Sequence, residues 1–467
     1  MILNEKLEEF ENWIIDKRVA VIGLGVSNLP LLDYLYEKKA IISVFDDRTR
    51  EELDKEAVEK IDKYYLEAFL GEDNLKNLVG FDLIFRSPSC MPFKTELEEE
   101  KKRGAILTTE IEMVLRLSPS QVIGITGSDG KTTTTSLVYA ILKEAGFNCF
   151  LGGNIGIPLF TKIKDMQEQD KVVLELSSFQ LMDMNISPSI SIVTNVSPNH
   201  LNIHRSYEEY IDAKANIFKS QDKNGIVVLN EDNDITRGFK DIAKGKVVLF
   251  SRKEKLKNGV IYDEKDKNIK IVEDGEETIV INTKDIILRG LHNYENVCAA
   301  VAACKSIVDI DIIKEAIKKF KPVEHRLEFV REIDGVKWYN DSIGSSPSRT
   351  IAGVNSYDER IVLIAGGYDK NLDYKPLAKP VIEKVDTLVL MGQTADKIEK
   401  AIRDEGKDKE LPNIIHANSL EDAVNKAREN AKPGNVVLFS TAAAIYDLFK
   451  NFMERVNKFK EIVNNIK

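Results

Sequence analysis

The chain has 467 residues, of which 43% are hydrophobic and 30% charged, and carries a net charge of −10. At roughly 150 residues per domain, that length exceeds one hydrophobic core and predicts three domains. Lys and Arg are spread along an acidic chain, which excludes a dedicated nucleic-acid binder with its basic face. A local pocket of Lys, Arg and backbone N–H groups can still take an anionic ligand.

The N-terminus, MILNEK, is neither basic nor followed by an apolar stretch, so no signal peptide is expected. No window reaches the ~18 apolar residues of a membrane span, and no membrane insertion is expected. RVAVIGLG (18–25), NLPLLDYLYEK and AIISVFDD (40–47) read as strand, glycine turn, helix and strand. Such a βαβ unit implies a parallel sheet. FDLIFRSPS (81–89) reads as a strand entering a Ser-Pro loop. QVIGITGSDGKTTTTSLVYAILKEAG opens a second segment as strand, glycine-rich loop and helix, with Gly146 at the helix end. KVVLELSSFQL and SISIVTNVS read as buried strands, and five short strands between about 225 and 290 form a small β excursion. A third segment starts near KPVEHRLEFV and repeats strand–loop–helix units. Its last helix carries a stripe at Phe449, Phe452, Val456, Phe459 and Val463. The expected fold is α/β with domains at 1–110, 111–321 and 322–467, and a linker near 318–324. The four cysteines, Cys90, Cys149, Cys298 and Cys304, form no CxxC pair. They read as reduced thiols of a cytoplasmic protein.

GITGSDGKTTTT (124–135) is the most informative stretch. A triphosphate needs inward backbone N–H groups, a lysine for its outer oxygens and a hydroxyl for the metal. Gly130, Lys131 and Thr132 supply these between a predicted strand and a predicted helix, whose N-terminus adds a favourable dipole. The general phosphate-loop pattern wants glycine at position 125, which is Ile; the spacing here is GxxGxxGKT. ATP is the expected ligand. Glu175 ends a predicted strand, where ligands gather in α/β sheets, but a lone Glu after an apolar run is also common by chance. His200 and His204 fall in NVSPNHLNIH; a lone His is more often structural than a ligand, and His204 and His416 read as structural. Lys214, in YEEYIDAKANIF, would by itself be a solvated helix lysine.

GxxGxxGKTT, ELSSFQL, NVSPNHLNIH, GLHNYEN, EHRLE and YNDSIGSSP occur in the order found in the Mur ligases and their folylpolyglutamate synthetase relatives. The chain resembles that family along essentially its whole length, and ELSSFQL resembles the D-glutamate-adding branch. The resemblance implies a Rossmann-like N-terminal domain for a UDP-linked substrate, a central P-loop ATPase and a second Rossmann-like domain for the amino acid. It implies ATP-dependent joining of D-glutamate to UDP-N-acetylmuramoyl-L-alanine through an acyl phosphate, in peptidoglycan precursor synthesis. The expected cofactors are ATP and two Mg²⁺, the expected partners are these small molecules, and the expected state is a monomer.

Residue by residue, the resemblance assigns Ser128, Asp129, Gly130, Lys131, Thr132, Thr133, Thr134, Asn293, Asn296, Arg326 and Asp341 to ATP. Val26, Ser27, Asp47, Arg48, Ser87 and Asn154 go to the UDP substrate, and Ser345, Lys370 and Phe452 to D-glutamate. Thr132, Glu175, His200 and Lys214 would hold metal, Lys214 as a carbamate, which gives a hard cation an oxygen ligand. Lys131, Glu175, His200 and Lys214 form the catalytic set.

Three positions depart from the family pattern. Ile343 replaces the lysine of NDSK, and in STAAAI (440–445) Thr441 replaces a proline and Ile445 a serine that contacts the glutamate. An unpaired carboxylate beside Ile445 would lose about 1–3 kcal/mol; STAAAI also reads as a small-residue turn chosen for packing. These changes keep open a relative with another amino acid or acceptor, and a nucleotide-binding scaffold with impaired turnover. An NAD-dependent dehydrogenase is a weaker alternative: Asn28 stands at the third fingerprint glycine, and the phosphate loop would go unexplained.

Overall fold

The computed structural model describes residues 4–198, 203–321, 326–342, 344–369, 372–407, 409–443 and 452–466. The chain divides into two compact units, one of Met1–Thr283 with Glu295–Lys318, the other of Lys284–Tyr294 with Lys319–Lys467.

The first unit holds two sheets. β1 (Arg18–Ile22), β2 (Ile41–Asp46), β3 (Glu67–Leu70), β4 (Leu83–Arg86) and β5 (Ile106–Thr108) lie in the order β3-β2-β1-β4-β5, all parallel. Val19, Ala20 and Val21 are fully buried, because helices on both faces leave a parallel sheet no wet side. Strand order reverses between β1 and β4, and a crevice opens beyond the carboxyl ends at such a switch point.

The second sheet contains β6 (Gln121–Thr126), β7 (Cys149–Gly153), β8 (Lys171–Glu175), β9 (Ile190–Val193) and β10 (Ile226–Asn230). It goes on with β11 (Lys246–Ser251), β12 (Gly259–Asp263), β13 (Asn268–Glu273) and β14 (Glu276–Asn282). The order is β14-β13-β12-β11-β10-β9-β6-β8-β7. The β excursion therefore extends this sheet: β10 and β11 continue its parallel ladder, and β12–β14 finish it as antiparallel hairpins. Glu175 ends a strand one place from the edge, between β6 and β7.

Arg86, at the end of β4, is buried and joins the Ser-Pro loop to the short helix Ser178–Leu181. Its guanidinium donates to the Cys90 and Phe179 carbonyls at 3.3 and 3.4 Å and ion-pairs with Asp183.

The second unit is built on β15 (Glu328–Ile333), β16 (Val336–Asn340), β17 (Ile361–Ala365), β18 (Val385–Met391), β19 (Asn413–Ala417) and β20 (Val436–Phe439). Their order is β15-β16-β20-β17-β18-β19, parallel except for the β15–β16 hairpin. Helix Phe452–Asn464 buries Val456, Phe459 and Val463, and Phe459 stacks on Phe439 at 4.6 Å between centroids. Phe449 of the expected stripe and residues 322–325 of the expected linker lie outside the described residues. Among the described residues no helix is long and apolar enough to cross a membrane.

Candidate functional site

β6 passes through Gly127–Gly130 into the helix Lys131–Glu144. Ile125, where a phosphate loop usually has glycine, is a fully buried strand residue registered against Glu175 on β8 and Ile192 on β9. The strand continues through Ile125 and Thr126, two positions that the general pattern gives to the loop, so the loop starts at Gly127. Gly127 has φ +150°, and a Cβ there would lie 1.9 Å from Thr194 Oγ1. Gly130 takes φ +82° as the helix N-cap, and a Cβ there would lie 2.2 Å from Asn296 Oδ1. Both sites require glycine for conformation and for space.

Residues after β9 hold the loop in shape. Asp129 donates its N–H to Asn195 Oδ1 at 2.9 Å, and its carbonyl accepts from Thr194 Oγ1 at 2.6 Å. The Ser128 hydroxyl lies 2.8 Å from Tyr210 Oη and bonds to the Ser197 carbonyl at 2.9 Å. Sequence reasoning assigned no role to Thr194, Asn195, Ser197 or Tyr210; TNVS after a strand was the available signal. Lys131 Nζ donates to the carbonyls of Gly127 and Ser128 at 2.9 and 3.1 Å. Thr132 is half-buried, and the first-turn amides of the helix have no intrahelical acceptor. Thr133 is buried, so only its backbone suits a ligand. Thr134 is also among the residues that the resemblance assigns to the nucleotide. It is fully buried, its N–H is bonded to the Gly130 carbonyl and its hydroxyl to Asn296 Oδ1 at 3.4 Å.

Glu175 is 1% exposed, and its Oε1 accepts from Asn154 Nδ2 at 2.9 Å. The Asn154 N–H donates to the Glu175 carbonyl at 2.8 Å. Gly153 makes this approach, since a Cβ there would lie 2.1 Å from the Glu175 carbonyl oxygen. Glu175 Oε2 is buried without a hydrogen-bond partner among the described residues. A buried carboxylate oxygen with no donor is costly, and a bound cation removes that cost. Lys214, expected from its own context to be solvated, is 2% exposed on helix Tyr207–Lys219. Its Nζ donates to the Gly127 carbonyl at 2.8 Å and lies 4.6 Å from the Tyr210 ring centroid. Burial, and then the Lys131 charge, hold its ammonium well below the usual lysine range, against Asp129 and Glu175.

His200 lies outside the described residues. His204 is packed: its ring stacks on Phe179 and its Nε2 lies 2.9 Å from Ser178 Oγ. His416 sits 2.5 Å from Glu399 on the second unit.

At the switch point of the first sheet, a crevice of about 340 Å³ is lined by the turns after β1, β2 and β4. Asp47, Arg48 and Ser87 line it, Val26 is 80% exposed and Ser27 half-buried on the same turn. Asp46 accepts the Leu24 N–H at 2.7 Å and the Arg48 guanidinium at 2.9 and 3.0 Å. Asn28 bonds to the Ile22 carbonyl at 2.9 Å. Asp46 is thus spent within the turn and offers no free oxygen to a dinucleotide ribose.

In the second unit, Asp341 is buried: Ser440 Oγ donates to its Oδ2 at 2.7 Å and the Leu327 N–H to its Oδ1 at 3.3 Å. Burial pushes its carboxyl up to about 6, with Ser440 and Arg326 opposing. Asn293 is buried and donates to the Arg289 carbonyl at 2.6 Å, lining a cavity of about 640 Å³. Ser345 is half-buried. Lys370, Ile343 and Ile445 lie outside the described residues, as does the side chain of Phe452. In the STAAAI turn Thr441 is buried, and its hydroxyl bonds to the Ala443 carbonyl at 2.9 Å and the Gly344 carbonyl at 3.3 Å. Ser440 and Thr441 thus hydrogen-bond to Asp341, Gly344 and Ala443.

Comparison with known proteins matches three family models: Mur ligase MurD-like, N-terminal domain, over residues 17–109; Mur ligase middle domain over 125–304; and Mur ligase, glutamate ligase domain, over 325–443. A UDP-N-acetylmuramoylalanine–D-glutamate ligase of Acetivibrio thermocellus is 50% identical, covering 99% of this chain and 100% of that protein. One of Clostridium acetobutylicum is 46% identical, with 100% of both covered. Among solved structures, UDP-N-acetylmuramate-alanine ligase MurC from Thermotoga maritima superposes with a TM-score of 0.59 at 18% identity, over 97% of this chain and 100% of that one. At that identity the likeness concerns the fold.

Proposed function

This chain belongs to the Mur ligase family, and on that footing we propose that it joins D-glutamate to UDP-N-acetylmuramoyl-L-alanine with ATP, in peptidoglycan precursor synthesis. The observation that carries the reading is the pairing of a phosphate loop with two buried groups beside it. Among the described residues Glu175 Oε2 has no donor, and burial and the Lys131 charge hold the Lys214 ammonium well below the usual lysine range. The ligase identity also rests on full-length relatives of that name at 46–50% identity.

The reaction runs in two steps. The substrate's L-alanyl carboxylate attacks the γ-phosphorus of ATP, forming an acyl phosphate and releasing ADP. The deprotonated amine of D-glutamate then attacks the acyl carbon, and the tetrahedral adduct expels phosphate to leave the amide. Lys131 turns from its own loop carbonyls to the outer phosphate oxygens, and the amides of Gly130 to Thr133 cradle them. Once its ammonium has lost a proton, Lys214 adds CO₂ and loses a second proton, becoming a carbamate. Thr132, Glu175, His200 and that carbamate then present oxygen and nitrogen ligands suited to Mg²⁺. Two Mg²⁺ ions, when bound, neutralise charge on the transferring phosphoryl.

Asn296, Asn293, Arg326 and Asp341 serve the nucleotide, and Val26, Ser27, Asp47, Arg48, Ser87 and Asn154 the UDP end. Ser345, Lys370 and Phe452 serve D-glutamate. The enzyme acts as a cytoplasmic monomer. Phosphate release from ATP is expected only with UDP-N-acetylmuramoyl-L-alanine and D-glutamate together, with the amide product found by mass. Equal turnover with L-lysine or a folate acceptor refutes the assignment.

A further inference from the structure

We propose that Lys94 is a phosphate-binding residue of the N-terminal crevice, donating to the diphosphate of the uridine nucleotide; this rests on the reading of that crevice as the UDP site. The charged residues lining the crevice are Asp46, Asp47, Arg48 and Lys94. Arg48, the obvious anion ligand, is already committed. Its Nε and Nη2 bond to the two oxygens of Asp46 at 2.9 and 3.0 Å, Nη2 also to the Leu24 carbonyl at 3.2 Å, and Nη1 to Asp54 at 3.4 Å. Asp47 accepts from Asn74 Nδ2 at 2.8 Å and adds a second carboxylate.

Without Lys94 the lining carboxylates outnumber the cations, and a diphosphate carrying two or more negative charges would enter an anionic crevice. Lys94 is half-buried, at the start of helix Thr95–Arg103 just after the Ser-Pro loop. Its Nζ makes no hydrogen bond or ion pair among the described residues. A partly desolvated ammonium without an acceptor has donors to give to a ligand. Its charge bears on this crevice: burial raises the thiol of Cys90, which lines the same space, and Lys94 is the strongest opposing charge.

The test uses the full-length protein with ADP saturating the ATP site, and ligand-observed NMR titration of UDP and of uridine. Lys94→Met is expected to weaken UDP binding about tenfold, the scale of one charge-assisted hydrogen bond, and to leave uridine binding unchanged. Lys94→Arg should recover most of the loss. In turnover, KM for the UDP substrate should rise while kcat and the KM values for ATP and D-glutamate hold. If wild type binds UDP and Lys94→Met binds it equally well, or loses uridine in the same proportion, the role of Lys94 is wrong while the crevice reading stands. If wild type binds no UDP, both fall.

Discussion

Asn154 is bonded twice to Glu175, side chain to side chain at 2.9 Å and backbone to backbone at 2.8 Å. The tie fixes Oε1, and among the described residues Oε2 has no donor. Glu175→Gln preserves the shape and can still accept from Asn154, but it removes the charge. A loss of about 10²–10³ in kcat is expected, the scale of a removed electrostatic contact in a phosphoryl-transfer site, with little change in thermal midpoint. Phosphate-release kinetics and a melting curve measure the two; unchanged kcat would remove Glu175 from the metal set.

Lys131→Ala should abolish turnover, by at least about 100-fold, and weaken ATP. Its ammonium bonds to carbonyls of its own loop, so folding should survive the change. Nucleotide titration and circular dichroism check both halves of that statement. Retained turnover refutes the phosphate-loop assignment.

For Lys214 the expectation is chemical. The native protein should carry 44 mass units of CO₂ on this residue, roughly the mass of one such adduct, visible where the carbamate is trapped by alkylation. Lys214→Ala should be inactive and regain part of its activity with acetate or propionate, which restore an oxygen ligand. Failure of rescue with unchanged metal affinity would show that no carbamate is involved.

Glu110 gives a pH-dependent stability. Burial pushes its carboxyl up to about 7, against the Phe160 and Leu159 N–H groups that donate to Oε1 at 2.8 Å. The folded state therefore holds this proton more tightly than the unfolded chain. Its contribution is full below the unfolded value near 4.5 and is lost as pH rises to about 7; the difference is about 3 kcal/mol. Glu110→Gln should gain on the parent between pH 5 and 8, measured as the gap between urea midpoints. A constant gap contradicts the burial argument.

The parallel strands were legible because both their faces are buried: RVAVI, KVVLE and ISIV are unbroken apolar or nearly apolar runs. The loop was legible because Gly127 and Gly130 each answer a steric demand. Ile125 looked like a defect in a phosphate loop only because sequence spacing does not show where a strand stops. Lys214 was illegible without the family resemblance, since its burial comes from elements far along the chain, Gly127 and Glu175 among them. The surroundings of Thr134 were not legible because four consecutive threonines look alike in sequence, while the helix turns each in a different direction and leaves Thr132 half-buried and Thr133 to Thr135 buried.

The guanidinium of Arg86 is buried, and its N–H groups need acceptors. It draws on acceptors in the Ser-Pro loop and in the helix that follows Glu175. Neither segment can open alone without stranding those donors, so the amides of residues 87, 89 and 90 and of 178–183 should exchange with solvent deuterium as one cooperative block.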